Sequence, residues 1–199
     1  MRVVGGRWRG RRRTAPAGRA TRPTSDRVRE AVFDVLTALR LSEASDAAGG
    51  PEPGEPLAGL DALDLFAGSG ALGIEALSRG ARTCVFVERE ARALRALRAN
   101  LEALQVAAPA GEVRAFDYRR SLEADLATAR RYNLVLVDAP YVLYPAVEAE
   151  LAARLPGVLC PGGVVAVETA RDQTVRLPLD EFRVRRYGDT WVTFLQARS

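Results

Sequence analysis

The stretch Leu63-Asp64-Leu65-Phe66-Ala67-Gly68-Ser69-Gly70-Ala71-Leu72-Gly73 decides how the rest of this chain reads. Apolar residues run up to a carboxylate, a loop of small residues follows, and a helical pattern opens at Ala71. The pattern predicts a strand, a tight turn and a helix N-terminus, with Gly68, Gly70 and Gly73 letting the backbone bend and approach a ligand closely. The spacing G-x-G-x-x-G also serves dinucleotide-binding folds, so it does not discriminate by itself. Asp64 does. A pyrophosphate on this turn would be repelled by a carboxylate at the strand end, whereas a ligand with an ammonium and a sulfonium would be drawn to it. S-adenosylmethionine is such a ligand and is preferred to NAD as the cofactor. Its candidate contacts are Asp64, Phe66, Ala67, Gly68, Ser69 and Gly70.

Downstream, apolar runs alternate with helical periodicity. Strands are predicted at 60–65, 83–87, 112–116, 133–137 and 164–167, with helices beginning near 71, 90 and 145 and a further helix through the 120s. Cys160-Pro161-Gly162-Gly163 reads as a turn, and residues 182–187 and 191–195 around Gly188-Asp189 read as a closing hairpin. Alternation of this kind implies an α/β fold: a mostly parallel seven-stranded sheet with helices on both faces, the hairpin adding antiparallel pairing.

Four successive strands lead into a carboxylate: Asp64, Glu88, Asp117 and Asp138. Ligands of an open parallel sheet bind across the carboxyl ends of its strands, so these acids gather on one rim. Any single one is ordinarily a turn or cap residue; four in succession point to a site. Glu88 lies 18 residues after Gly70, near the distance at which an acid reaches ribose hydroxyls. Asp117 is a candidate acceptor from an adenine amino group, with Tyr118 or Phe116 beside the ring.

The N-terminus has the opposite charge. Residues 1–24 hold eight arginines and no acid, while the remainder sets 21 arginines against 25 acids. A basic arm on a mildly acidic body is the electrostatic footprint of a nucleic-acid binder. Arg2, Arg7, Arg9, Arg11, Arg12, Arg13 and Arg22 are its candidate phosphate contacts, and Trp8 is placed to stack on an unpaired base. Pro23-Thr24-Ser25 then starts an amphipathic helix over about 26–40, from which Arg27 and Arg29 extend the basic surface. Residues 42–57 read as a flexible linker between the arm-and-helix unit (1–41) and the main domain (58–199). On this division the arm serves RNA alone, and deleting residues 1–22 leaves cofactor binding nearly intact.

Composition excludes other chemistries. With no histidine among 199 residues, histidine-based acid–base catalysis and most zinc sites are ruled out, and no metal is expected. The absence of lysine excludes a Schiff base. The two cysteines, Cys84 and Cys160, lack paired spacing, and no stretch reads as a membrane span or signal peptide, so a cytoplasmic protein is expected.

The last acid opens Asp138-Ala139-Pro140-Tyr141. Together with Asp-x-Phe-x-Gly-x-Gly, this resembles the amino-methyltransferases that modify exocyclic nitrogens of bases. More narrowly, residues 2–10, 22–33, 63–80 and Tyr187-Gly188-Asp189-Thr190 resemble the RsmD family, small bacterial enzymes that methylate N2 of a guanine in 16S ribosomal RNA. The resemblance implies a class I, Rossmann-like methyltransferase fold and S-adenosylmethionine as donor. It also implies a monomer acting on 16S RNA or the assembling small subunit. By the same resemblance Asp138, Pro140 and Tyr141 are the catalytic residues: Asp138 and a loop carbonyl accept the amine's N–H groups, and Tyr141 stacks on the base. The family usually carries two prolines in this loop, and Ala139 stands at the first. An adenine-N6 methyltransferase, an NAD-dependent oxidoreductase and a non-catalytic RNA-binding module remain as alternatives. The first lacks room for a target-recognition domain, and the second disagrees with Asp64.

Overall fold

A computed structural model describes residues 2–14, 25–44 and 54–198. The strands are β1 (Asp61–Asp64), β2 (Thr83–Val87), β3 (Gly111–Arg114), β4 (Tyr132–Val137), β5 (Leu159–Ala170), β6 (Asp180–Tyr187) and β7 (Thr190–Gln196). They form one seven-stranded sheet in the order β3-β2-β1-β4-β5-β7-β6. The first five pair in parallel, and β7 lies antiparallel between β5 and β6. The helices are α1 (Asp26–Ala44), α2 (Ala71–Ser78), α3 (Ala91–Ala103), α4 (Tyr118–Ala127) and α5 (Tyr144–Val158). None among the described residues is long and apolar enough to cross a membrane.

The inner strands β2 and β4 and the second half of β5 are largely apolar because both faces are covered. Ala62, Cys84, Phe86, Leu134 and Leu136 face a core shared with α1, α2 and α3, which contribute Phe33, Ile74, Leu77 and Leu97. Their sequence neighbours Leu63, Val85, Val87, Val135 and Val137 face the other core, closed by Leu122 of α4 and by Val147, Leu151 and Leu155 of α5. The alternation follows from side chains pointing to opposite faces along a strand. The expected turn at Cys160-Pro161-Gly162-Gly163 is an irregularity inside β5: Tyr132 pairs with Leu159, then Leu134 with Val164, so the extra residues bulge out.

The arm is folded and docked. Arg2 and Arg12 form an antiparallel bridge, the Val3 amide donates to the Arg11 carbonyl while the Val3 carbonyl accepts the Gly10 amide, and a short 3-10 turn (Gly6–Trp8) caps the loop. Glu75 of α2 accepts the amides of Val4 (3.0 Å) and Gly5 (2.7 Å), and Ser78 accepts from Trp8 and donates to the Gly5 carbonyl. Gly6 has to be glycine: its φ is +70°, and a Cβ would lie 1.8 Å from the Ser78 carbonyl oxygen. Val3 packs in the same core as α1 and α2.

Ser25 accepts the Val28 amide at 3.2 Å and so caps α1, as Pro23-Thr24-Ser25 suggested. The region read as linker is only partly so. Helix α1 continues to Ala44, and Leu57 is buried, with its amide on the Arg79 carbonyl; residues 45–53 of that stretch lie outside the described residues. Arg22 also lies outside them.

Candidate active site

The register of the sheet builds the rim. Asp64 is opposite Phe86 in β2 and Leu136 in β4, so Glu88 and Asp138 each stand two residues beyond it on the flanking strands. Beyond β4, Val137 pairs with Val167, which sets Glu168 of β5 beside Asp138. Glu168 was not among the sequence candidates. The rule that found the others, a carboxylate closing an apolar run, would have found it after Val164-Val165-Ala166-Val167.

Asp64 is the buried member. Its Oδ2 accepts the Gly73 amide at 2.9 Å, and its Oδ1 has no hydrogen-bond partner. Burial pushes its pKa up to about 7 against the pull of the Gly73 and Phe66 amides, and the charges of Asp138 and Glu88 push the same way. A buried acid with one oxygen unmatched suits a cation brought in by a ligand.

The turn between Asp64 and α2 carries the strain the motif predicts. Gly68 has φ +54° with open space where a Cβ would stand; Gly70 has φ +84°, and a Cβ there would meet Leu97 and Ile74 at 2.6 and 2.9 Å. Ala67 ties the loop to β2 through the Val87 carbonyl. Ser69 is buried, and its carbonyl accepts from Asn100 of α3 at 2.9 Å. Glu88 holds the loop from the other side: Oε2 accepts the Gly68 amide at 2.9 Å, while Oε1 accepts the amides of Arg89 and Glu90. A carboxylate offers about four acceptor sites, so one remains, on Oε2, for a ribose hydroxyl.

Asp117 is the N-cap of α4. It accepts the Arg119 amide at 3.0 Å and pairs with Arg89 at 3.1 Å, three residues past the end of β3. Tyr118 is corrected: it is buried in the core under α4, its ring 5.0 Å from that of half-buried Phe66, so it backs Phe66 instead of lying open to a ligand.

The loop after β4 holds the expected catalytic residues. Ala139 is 1% exposed and packs in the core; Pro140 is exposed, and its carbonyl accepts the Leu143 amide. Tyr141 donates to Glu168 Oε1 at 3.0 Å and lies 3.0 Å from Thr190 Oγ1. Burial and the neighbouring Glu168 push its pKa up to about 12. Asp138 and Tyr141 thus stand at one mouth, beside Asp64 and the glycine loop.

Away from the rim, Arg2, Arg9 and Arg27 line a cleft between the arm and α1, together with Asp26 and Glu30. Arg7 stacks on Trp8 at 4.3 Å, and Arg11 and Arg12 are exposed. Trp8 is half-buried against the core and not a free platform. Arg13 is the clear departure: it is 6% exposed, and all three guanidinium nitrogens lack a hydrogen-bond partner. It cannot serve as a surface phosphate contact, and neither can Arg29, which is fully buried and donates to the Arg2 carbonyl and to Asp26. The sequence reading also missed Glu75, Ser78 and Asn100, polar residues on otherwise apolar helix faces. That isolation was their signal.

A family model described as conserved hypothetical protein 95 matches residues 1–196. The chain belongs to that family. The RsmD resemblance pointed to the same family. Across 208 aligned residues the chain is 38% identical to a Bacillus subtilis protein named "Putative rRNA methyltransferase YlbH", covering all of both. It is 35% identical to the Escherichia coli protein named "Ribosomal RNA small subunit methyltransferase D" over 71% of this chain and 60% of that one. Among solved structures, an Escherichia coli protein described as "Putative methyltransferase yhhF" superposes with a TM-score of 0.74 at 28% identity, over 100% of this chain and 98% of that one. The fold is the class I, Rossmann-like methyltransferase fold, with its C-terminal antiparallel hairpin.

Proposed function

We propose that this chain transfers a methyl group from S-adenosylmethionine to the exocyclic N2 amine of a guanine in 16S ribosomal RNA. The observation that carries the reading is the rim itself: Asp138 and Tyr141 beside a glycine loop whose buried Asp64 keeps one oxygen unmatched. The names of the relatives favour ribosomal RNA over DNA, and the RsmD resemblance favours guanine N2. When bound, S-adenosylmethionine supplies a methyl carbon activated by a sulfonium.

The residues divide the work. Asp64 offers its free Oδ1 to the cationic end of the donor, the glycine loop gives close backbone approach, and Glu88 is placed for a ribose hydroxyl. A guanine amine is a poor nucleophile because its lone pair is delocalised into the ring. Asp138 accepts one of its N–H bonds, turns the lone pair out of conjugation, and takes up the proton the nitrogen sheds. Tyr141 provides a ring face for the base, with its hydroxyl fixed by Glu168 and Thr190 so that the ring does not swing. Rate enhancement then comes mainly from positioning and fixed charge. The cleft between the arm and α1, ringed by Arg2, Arg9 and Arg27, supplies the phosphate contacts.

The test is methyl transfer from labelled S-adenosylmethionine to 16S RNA and to small subunits lacking the modification, with the product nucleotide mapped. Asp138→Ala should abolish transfer while calorimetry still finds cofactor binding. A purified chain that ignores S-adenosylmethionine, or a fully active Asp138→Ala, overturns the reading.

A further inference from the structure

The described part of the arm carries a feature that a surface phosphate contact does not explain. Arg13 is buried, and none of its three guanidinium nitrogens has a hydrogen-bond partner. Buried guanidinium groups are almost always paired, so an unmatched one points to a missing anion.

The neighbouring acids are engaged elsewhere. Glu75 receives the amides of Val4 and Gly5 and pairs with Arg79, and Asp26 accepts from Arg29 at 2.7 Å. The third acid whose charge acts on Arg13 is Asp64, and it too keeps an oxygen without a partner. A cation and an acid are therefore buried in one region, Arg13 with no hydrogen bond and Asp64 with Oδ1 unmatched, and no hydrogen bond joins them. An α-amino acid zwitterion carries the complementary pair, a carboxylate for the cation and an ammonium for the anion.

The backbone holds Arg13 against the glycine loop. The Thr14 amide donates to Asn100 Oδ1 at 2.7 Å, and Asn100 Nδ2 donates to the carbonyls of both Thr14 and Ser69 at 2.9 Å. One buried asparagine of α3 thus clamps the arm at Thr14 to the loop that begins at Asp64. Arg29 adds a second positive charge acting on Arg13, which an anion between them would relieve.

We propose that Arg13 is a cofactor-binding residue: its guanidinium takes the carboxylate of the methionyl end of S-adenosylmethionine, while Asp64 takes the ammonium. This rests on the cofactor reading above and extends it by making the arm a wall of the donor pocket. A planar fork matches a carboxylate through two parallel bonds.

The experiment is calorimetry on the full-length protein with three ligands: S-adenosylmethionine, its decarboxylated form, and 5′-methylthioadenosine, which lacks the amino-acid end. Wild type should prefer S-adenosylmethionine to the decarboxylated ligand by about 10- to 100-fold, the span expected of a charge-assisted hydrogen bond. Arg13→Gln should erase that preference and leave methylthioadenosine binding and RNA affinity unchanged; Arg13→Lys should recover part of it. Equal wild-type affinity for the first two ligands overturns the proposal, and this comparison does not depend on any variant folding. A preference retained in Arg13→Gln overturns it as well, as does a loss of RNA affinity with cofactor binding intact. If wild type binds none of the three, the cofactor reading falls with it.

Discussion

The carboxylate of Glu75 accepts the Gly5 amide at 2.7 Å, joining helix α2 to an arm 70 residues upstream in sequence. Its second oxygen holds the Val4 amide, so a single buried acid fixes the arm's entry. Glu75→Gln keeps the size but turns one acceptor into a donor facing an N–H. The expected loss of stability is about 2–4 kcal/mol, and the melting temperature should fall by on the order of 10 °C. Thermal denaturation followed by circular dichroism checks this, with Ser78→Ala, expected to lose about 1 kcal/mol, as the milder companion. A melting curve matching wild type would mean that the arm is held by something else.

Asp64 predicts a pH dependence whose sign can be worked out. Its folded pKa of about 7 lies above the ordinary aspartate range, so between roughly pH 4 and 7 the folded chain binds a proton that the unfolded chain has released. Stability from this group is complete at low pH, declines as pH rises through that window, and is level above pH 7. Cofactor binding runs the other way, because a cation at Oδ1 prefers the ionised acid. Affinity should rise towards neutrality, and below pH 7 binding should release up to one proton. Calorimetry in buffers of different ionisation enthalpy reads that proton directly. Asp64→Asn should abolish the release.

Strand ends were legible because each acid closes an apolar run of the kind that a sheet covered on both faces demands, so Asp64, Glu88 and Asp138 could be placed on one rim from the sequence. Asp117 was assigned to a strand end although β3 stops at Arg114; in Glu112-Val113-Arg114-Ala115-Phe116 the apolar pattern continues past the last ladder bond. The arm was legible as charge but not as structure. Its hairpin is held by partners about 70 residues away in sequence, Glu75 and Ser78, which no local pattern reveals. Arg13 was misplaced for the same reason: within Arg11-Arg12-Arg13 nothing distinguishes the one that turns inward.

Tyr141 joins the loop after β4 to the antiparallel pair β5 and β7, through Glu168 and Thr190. The hydroxyl stays protonated through the physiological range, since its pKa is pushed up to about 12, and it donates to Glu168. Tyr141→Phe keeps the ring but frees the loop. Turnover should fall roughly 10- to 100-fold, the equivalent of one hydrogen bond to a charged group, with the affinity for S-adenosylmethionine unchanged. Glu168→Gln retains an acceptor oxygen and should lose less. Single-turnover methylation with saturating cofactor separates the two, and an unimpaired Tyr141→Phe would remove the hydroxyl from the positioning of the loop.

The docked arm changes how its RNA role has to be tested. Deleting residues 1–22 would strip Val3 from the core, leave Glu75 and Ser78 without their partners, and remove Arg13, so lost RNA binding would not be attributable to charge. Replacing only the exposed Arg7, Arg9, Arg11 and Arg12 by alanine leaves that framework in place. If each meets one phosphate of a single-stranded target, the slope of log affinity against log salt should flatten by about 3, near 0.7 per contact. Cofactor affinity and melting temperature should stay at wild-type values. Fluorescence anisotropy with a 16S fragment across a salt series measures the slope. A slope equal to wild type would confine the RNA surface to Arg2, Arg27 and the face of α1.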